Sequence, residues 1–460
     1  MLTGLGIFGR MERKTTGISD IAIYLPHARI DLETLVQHRV AENPRLERHL
    51  ERALRTTGQR AIRFPQVWED TATLAASAAH RLITGNPDKD VANLRYLTVG
   101  TESGLDHSKP VSAFVEGMLQ KSGVDVPERL SSFQVQHACA AGTLSLMSVS
   151  ALLQTSGRGQ ESGIVMCSDV ARYDVRTTAE VTQGAGAVAM LVENDPDLVQ
   201  IDLSTQGYCS TDVDDFFRPL GSKTAKVKGT YSMQCYRDTL ESALQDHCER
   251  AGTTPREALE ATDLFILHTP FRNLPETAMT GLLENHLGLD ADQARAFLAE
   301  RGLYDAIDAV AEVGNIYTGS MYLGLAFQLS NQFKRIGSRI VGKRILFASY
   351  GSGNTMTVFS GTVAPNAPRV IARWNLDALL SDHHDASVAE YETWIRGPYV
   401  VSSSDDTPNA DDVVDNDVAR MPTFVLQTIR EDGYRVYDYT GATSATDKST
   451  EPVPVLAAAG

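Results

Sequence analysis

Twice along this chain of 460 residues a short apolar strand ends in a turn of small residues and gives way to a helix. That repeated rhythm limits the fold more than any other feature. The first set opens at residues 18–25 (ISDIAIYL), a strand closed by Pro26, which has no N–H to give a central ladder. Residues 32–60 are rich in charge and helix formers and predict a helix. Residues 70–83 (DTATLAASAAHRLI) begin on a capping aspartate and carry an apolar stripe, a second helix. A buried strand at 94–100 runs into a polar turn at 101–109. Strand, turn and helix recur over 133–154, and GIVMC at 163–167 is a further strand. Residues 182–192 are glycine-rich and then wholly apolar, as in a central strand covered on both faces.

From about Tyr231 the rhythm starts again. A helix at 232–251 precedes a strand at 264–267 that ends in His268, with another helix after Pro270. A helix at 320–336 leads to a strand at 344–349 and a glycine turn at 351–353. The alternation predicts an α/β fold with helices covering sheets, built from two halves of similar element order, 18–230 and 231–364. Beyond Ala364 periodicity is lost. Residues 402–419 are acidic, 440–460 are of low complexity, and 365–460 is expected to be an extension, partly irregular or mobile.

Charge narrows the partners. Lysine and arginine number 42 against 58 aspartates and glutamates, a formal charge of −16, which argues against nucleic acid or an anionic membrane surface. No apolar stretch is expected to span a bilayer, and the opening MLTGLGIFGRMERKTTG is too briefly apolar for a secretory signal, so the cytoplasm is the expected location. The five cysteines show no CxxC pair and no metal-ligand spacing; they are expected to be reduced thiols, one of them catalytic, with no metal.

Chemistry concentrates at strand ends. Cys139, in QHACAAGTLSLMSVSALLQ, sits where a strand yields to a helix, and a helix N-terminus favours thiolate over thiol. His268 closes a buried strand in FILHTPF and is directed toward the crevice where α/β sheets bind ligands. Taken alone it reads as a satisfied core histidine. Glu102, in VGTESGLD, ends another buried strand, where a carboxylate is costly unless hydrogen-bonded or used for proton transfer; an exposed turn residue is the bland alternative. Asn315, in GNIYTGSMYLGLA, is either a helix cap or an amide aimed at a thioester, a water or the histidine. The glycine runs TQGAGAVAM and SYGSGNT lack the phosphate-loop pattern and read as close backbone packing.

In order, ISDIAIYLP, VGTES, ACAAGT, SDVARYD, TQGAGAVAM, DFFRP, YSMQCY, LHTPF, GNIYTGSMYLGLA and FASYGSG resemble the hydroxymethylglutaryl-CoA synthase family of the thiolase superfamily, over roughly residues 18–361. The resemblance implies a five-layered αβαβα fold and a homodimer. It implies a catalytic set of Glu102, Cys139 and His268, an acceptor stretch at Asn315 and Tyr317, and a thioester-contacting loop at Gly351 and Ser352. Asp169, Thr182, Asp215 and Phe217 match positions lining the same cavity. The implied reaction takes an acetyl group from acetyl-CoA or an acetyl-carrier protein onto Cys139, with no resident cofactor. Glu102 then forms an enolate, which attacks a β-ketoacyl thioester oriented by His268, and hydrolysis frees the product. The acceptor is either acetoacetyl-CoA or a chain on an acyl carrier protein.

Two departures from the family pattern stand out. ACAAGT replaces the usual ACYGGT, so Ala140 is expected to widen the pocket. The usual lysine after HTPF is absent, which leaves Arg272 as a partial substitute, with Lys223, Lys226 and Lys228 as charge for a phosphopantetheine-bearing partner. The alternatives are a ketosynthase III-like Claisen enzyme, which needs no base at Glu102, and a non-enzymatic thiolase-fold scaffold.

Overall fold

A computed structural model of the protein describes residues 15–156, 158–397 and 423–441. The acidic stretch 402–419 and nearly all of the tail from residue 440 lie outside the described residues. Ten strands share one hydrogen-bonded sheet: β1 (Thr16–Tyr24), β2 (Leu94–Gly100), β3 (Ser131–Val135), β4 (Ser162–Ala171), β5 (Gly184–Asn194), β6 (Val199–Ile201), β7 (Gly207–Ser210), β8 (Leu264–Leu267), β9 (Arg344–Gly351) and β10 (Thr355–Val363). The order is β8-β9-β10-β6-β1-β5-β4-β2-β3, with β7 also on β10. The short β6 pairs with β1 on one side and β10 on the other, so the halves join through it and are not separable bodies.

Seven helices matter for the site: α1 (Thr71–Thr84), α2 (Val111–Lys121), α3 (Ala141–Ser156), α4 (Gly229–Ala251), α5 (Asn273–Leu287), α6 (Ser320–Ile336) and α7 (Val388–Arg396). Strand alternation sorts the core into three seams. In β4, Val165 and Cys167 face one seam while Ile164, Met166 and Val170 face another. In β9, Ile345 and Phe347 join that first seam, and Leu346, Ala348 and Tyr350 face a third. The shared seam holds the buried sides of α3 and α6; α1 and α2 cover the N-terminal strands from outside, and α4 and α5 cover the C-terminal ones. This is the five-layered αβαβα arrangement of the thiolase fold.

Three expectations change. The helix expected over 32–60 is two, Leu32–Glu42 and Glu47–Thr57, because Pro44 cannot continue the first and the Asn43 side chain caps the turn between them. The segment Ala138–Thr155 is long and apolar enough by composition to cross a membrane, contrary to the sequence reading. Its place between two sheet layers accounts for that apolarity, with Leu146, Val149 and Leu153 in the central seam. After Ala364 the chain is more regular than its lost periodicity implies. It forms short helices at Ala367–Ile371 and Leu376–Ser381, then α7, then a hairpin of Phe424–Ile429 and Arg435–Tyr439. Helices of five to nine residues complete too few turns to show a stripe.

The glycines of TQGAGAVAM serve close packing, as expected. A Cβ on Gly184 would stand 2.7 Å from the backbone N of Asn315 and 2.7 Å from the carbonyl carbon of Gly314. Gly184→Ala is therefore expected to cost about 1–3 kcal/mol, because backbone rather than a flexible side chain must shift. Chemical denaturation of the two proteins checks this.

Candidate active site

Cys139 lies in the turn between β3 and α3, and the residue before it, Ala138, is forced to φ 42°. The turn is pressed against the end of β9: a Cβ on Gly351 would meet His137 O at 2.6 Å and Ala140 Cβ at 2.7 Å. Gly351 thus lets the strand end approach the nucleophile turn. It does not line the main cavity, and Ala140 is wholly buried behind that turn rather than widening it.

Two residues past β2, Glu102 reaches the thiol. Cys139 Sγ donates to Glu102 Oε2 at 3.3 Å, and Glu102 Oε1 has no hydrogen-bond partner among the described residues. Burial first, and then the Asp169 charge, push the Glu102 carboxyl up to about 8, against a smaller opposing pull from Arg218. The Cys139 thiol is pushed well up by burial and then by Glu102 and Asp169. The thiolate expected from the helix N-terminus is therefore overruled in the free protein. The pair holds protons, and neither group gives its own up readily to water.

His268 follows β8 and is buried, its backbone N–H donating to Ala348 O at 2.8 Å and its carbonyl accepting from Tyr236 Oη at 2.9 Å. Burial lowers its imidazole to about 3, so it is neutral at ordinary pH. Cys139, His268, Asn315, Tyr317, Thr182 and Ser352 line one cavity of about 620 Å³. Glu102 is the carboxylate behind the thiol, lining a second, more polar cavity of about 370 Å³ with Arg218. The Asn315 side-chain oxygen accepts from Tyr317 N at 2.8 Å and Ser320 Oγ at 3.2 Å, which leaves the amide nitrogen as the donor.

Asp169 and Asp215 do not line the main cavity; they hold its parts. Asp169 Oδ1 accepts from Thr101 Oγ1 at 2.8 Å and from the N–H groups of Glu102 and Ser103 at 3.0 Å, and Oδ2 accepts from Thr318 N at 3.1 Å and its hydroxyl. Asp215 accepts from Gly353 N at 2.9 Å, Tyr350 Oη at 2.7 Å and Ser232 Oγ at 2.9 Å, fixing the loop after β9.

Phe217 is 46% exposed, whereas its neighbour Phe216 lines the cavity and packs edge-on against Tyr173 and Tyr317. Successive residues of a strand face opposite ways, and the pattern FF does not say which faces in. Arg272 does not reach the cavity; its guanidinium bonds Asp308 at 2.7 Å and Asn273 at 2.9 Å. Of the three lysines, Lys226 lines the main cavity but pairs with Asp174 at 2.7 Å, Lys223 lines the second, and Lys228 bonds Asp214.

Sequence reasoning missed Tyr173, Phe216 and the residues His49, Arg52 and Thr56 on the helix Glu47–Thr57, all of which line the main cavity. Tyr173 was within reach, as the aromatic of SDVARYD. Nothing in the sequence marks the helix residues, which only tertiary packing brings to the cavity.

A carboxyl held at about 8 in the folded chain and near 4.5 when unfolded contributes stability that is complete below the lower value and lost as pH rises through the upper one. Glu102→Gln removes that dependence. Its melting temperature is expected to gain on wild type by roughly 2–5 °C between about pH 5 and pH 9. Scanning calorimetry at the two pH values checks the sign.

Comparison with known proteins supplies the lineage. Residues 12–197 match the family described as "Hydroxymethylglutaryl-coenzyme A synthase N terminal", and residues 300–439 match its "C terminal" counterpart. The hydroxymethylglutaryl-CoA synthase of Haloferax volcanii is 29% identical over 82% of this chain and 90% of its own. The polyketide-biosynthesis 3-hydroxy-3-methylglutaryl-ACP synthase PksG of Bacillus subtilis is 26% identical over 84% of this chain and 89% of its own. Among solved structures, MvaS in complex with 3-hydroxy-3-methylglutaryl coenzyme A superposes with a TM-score of 0.78 at 32% identity, over 92% of this chain and 99% of that one. The curacin-pathway HMG synthase in complex with apo donor-ACP gives 0.79 at 25%, over 93% and 100%. With both family regions matched in order and the MvaS likeness running nearly end to end, the chain belongs to the hydroxymethylglutaryl-CoA synthase family.

Proposed function

We propose that the protein condenses a Cys139-bound acetyl group with a β-ketoacyl thioester and releases a β-hydroxy-β-carboxymethyl product. The observation that carries this reading is the 3.3 Å contact of Cys139 Sγ with Glu102 Oε2, at a cavity that His268 and Asn315 also line. In the fraction of the enzyme whose Glu102 is ionised, Cys139 sulfur attacks the donor carbonyl, its proton passes to Glu102, and Glu102 hands it to the departing donor thiol. With its carboxylate restored, Glu102 takes a methyl proton from the acetyl thioester. A base poised near neutral pH in a dry site suits that weakly acidic carbon. The enolate carbon bonds to the acceptor ketone carbon, whose oxygen takes a hydrogen bond from neutral His268 and then the proton that Glu102 removed, which returns Glu102 to its carboxylate. The Asn315 amide steadies a thioester oxygen. Water then adds to the Cys139 thioester, and the thiol and the product carboxylate separate. In this reading the thioesters are substrates, and no metal or resident cofactor is assigned.

Between the two acceptors, the engagement of Arg272 with Asp308 favours a chain on an acyl carrier protein over acetoacetyl-CoA, since it leaves the guanidinium outside the cavity lining and paired with a carboxylate. A cytoplasmic setting is supported by all five cysteines being free thiols. Among the described residues the outer edge of β3 pairs with no other strand, which supports a homodimer. Sedimentation velocity is expected to give twice the chain mass, and a monomer at micromolar concentration sinks this part of the reading.

The test of the chemistry is intact-protein mass spectrometry after exposure to acetyl-CoA and, in parallel, to an acetylated carrier protein. One acetyl group is expected on Cys139 and none on Cys139→Ala. Adding each acceptor is expected to give the aldol-type product. Glu102→Ala is expected to lose condensation by about 10²–10⁴-fold. If neither donor labels Cys139 the enzyme reading fails, and condensation undiminished in Glu102→Ala points to the Claisen alternative.

A further inference from the structure

One wall of the main cavity is the segment of residues 172–183, which brings Tyr173, Thr177, Thr178, Ala179 and Thr182 to it. Tyr173 packs edge-on against Tyr317 and Phe216 and belongs to the same small buried cluster as Cys139. This segment has little regular structure of its own, only the turn Glu180–Thr182, so something else must fix it. The fixing groups come from α7, over two hundred positions later in the chain.

Tyr173 N donates to Gln183 Oε1 at 2.8 Å, and Gln183 Nε2 donates to Tyr391 Oη at 2.5 Å. Tyr391 Oη in turn donates to Glu180 Oε1 at 3.2 Å, and Glu180 Oε2 accepts from Arg176 N at 2.5 Å. Two side chains of one segment, Gln183 and Glu180, thus converge on a single phenol. The fully buried Arg39 completes the clamp, bonding Glu180 at 2.9 Å and Glu392 of α7 at 2.5 Å. At the other end of α7, Arg172 donates to Trp394 O at 2.6 Å and lies over the Trp394 ring.

We propose that Tyr391 is a positioning residue for condensation: its hydroxyl, held between Gln183 and Glu180, sets the placement of Tyr173 and the cavity wall. The acetyl group is tethered to Cys139 and tolerates a looser wall. Condensation needs two carbons brought within bonding reach at the correct angle, and small misplacements there cost large factors in rate. Loss of the hydroxyl therefore acts on the second half of the reaction and spares the first.

This rests on the proposed condensation, and the experiment separates the two. Tyr391→Phe keeps the ring, which packs on Phe64 and Trp394. With the full chain, three quantities are measured: the rate of Cys139 acetylation by the donor that labels it, kcat and KM for the acceptor that wild type condenses, and the melting temperature. Tyr391→Phe is expected to lower kcat/KM for the acceptor by about tenfold or more, with acetylation within about twofold of wild type. Thr393→Ala is the control on the same helix, since Thr393 is exposed and its hydroxyl donates to Ala389 O within the helix. It is expected to leave the ratio of the two rates unchanged. Equal losses of acetylation and condensation in Tyr391→Phe, or no loss in either, overturn the positioning role. If Tyr391→Phe does not fold, Gln183→Met breaks the same link from the other side and must show the same split. A wild type that acetylates but never condenses defeats the proposed function instead.

Discussion

The Asp169 carboxylate is the constraint on which the rest of the site depends. It is buried near the carboxyl end of β4, where an ionised group without partners would be prohibitive. Its two oxygens instead take hydrogen bonds from the turn after β2 and from Thr318 in the loop before α6. One turn carries Glu102 and the other carries Asn315 and Tyr317, so a single side chain binds the base from the N-terminal half to the acceptor loop from the C-terminal half. The Thr318 hydroxyl also reaches Gly100 O at 3.1 Å, which ties that loop directly to the end of β2.

Burial then decides the electrostatics. The same exclusion of water raises Glu102 and Cys139 and lowers His268, because each charged form loses solvation. The free site accordingly rests with its thiol protonated, its imidazole neutral and its carboxyl poised near neutral pH. Asp169 adds to the rise at Glu102 and Cys139, so the group that positions the base also tunes it. Position and proton affinity are two consequences of one buried charge.

Close backbone approach is the third element. Gly351 against His137 and Ala140, and Gly184 against Gly314 and Asn315, allow the ends of β9 and β5 to press on the nucleophile turn and the acceptor loop. The region after Ala364, which looks featureless as a sequence, closes the structure from outside. Helix α7 grips the wall of the cavity, and the hairpin of Phe424–Ile429 and Arg435–Tyr439 bonds Asp70 at the start of α1 through Arg435 and Tyr437.

The sequence by itself determined β1 to β5, β8, β9 and most of the helices between them, though not β6, β7, β10 or α2, together with the small-residue turn at Cys139 and His268 and Glu102 at strand ends. These are local properties, written in apolar runs and in the residues that stop them. It also singled out Asp169 and Asp215, but as cavity residues, because a buried carboxylate and a substrate-facing one look alike without their partners. Which of Phe216 and Phe217 faces in, and that Arg272 turns to Asp308 rather than to a ligand, were decided only in three dimensions. So were the joining of Tyr391 to Gln183 and the reversal of the expected thiolate. Contacts between residues hundreds of positions apart, and the loss of water around a charge, depend on what the folded chain places nearby, and no local pattern encodes that.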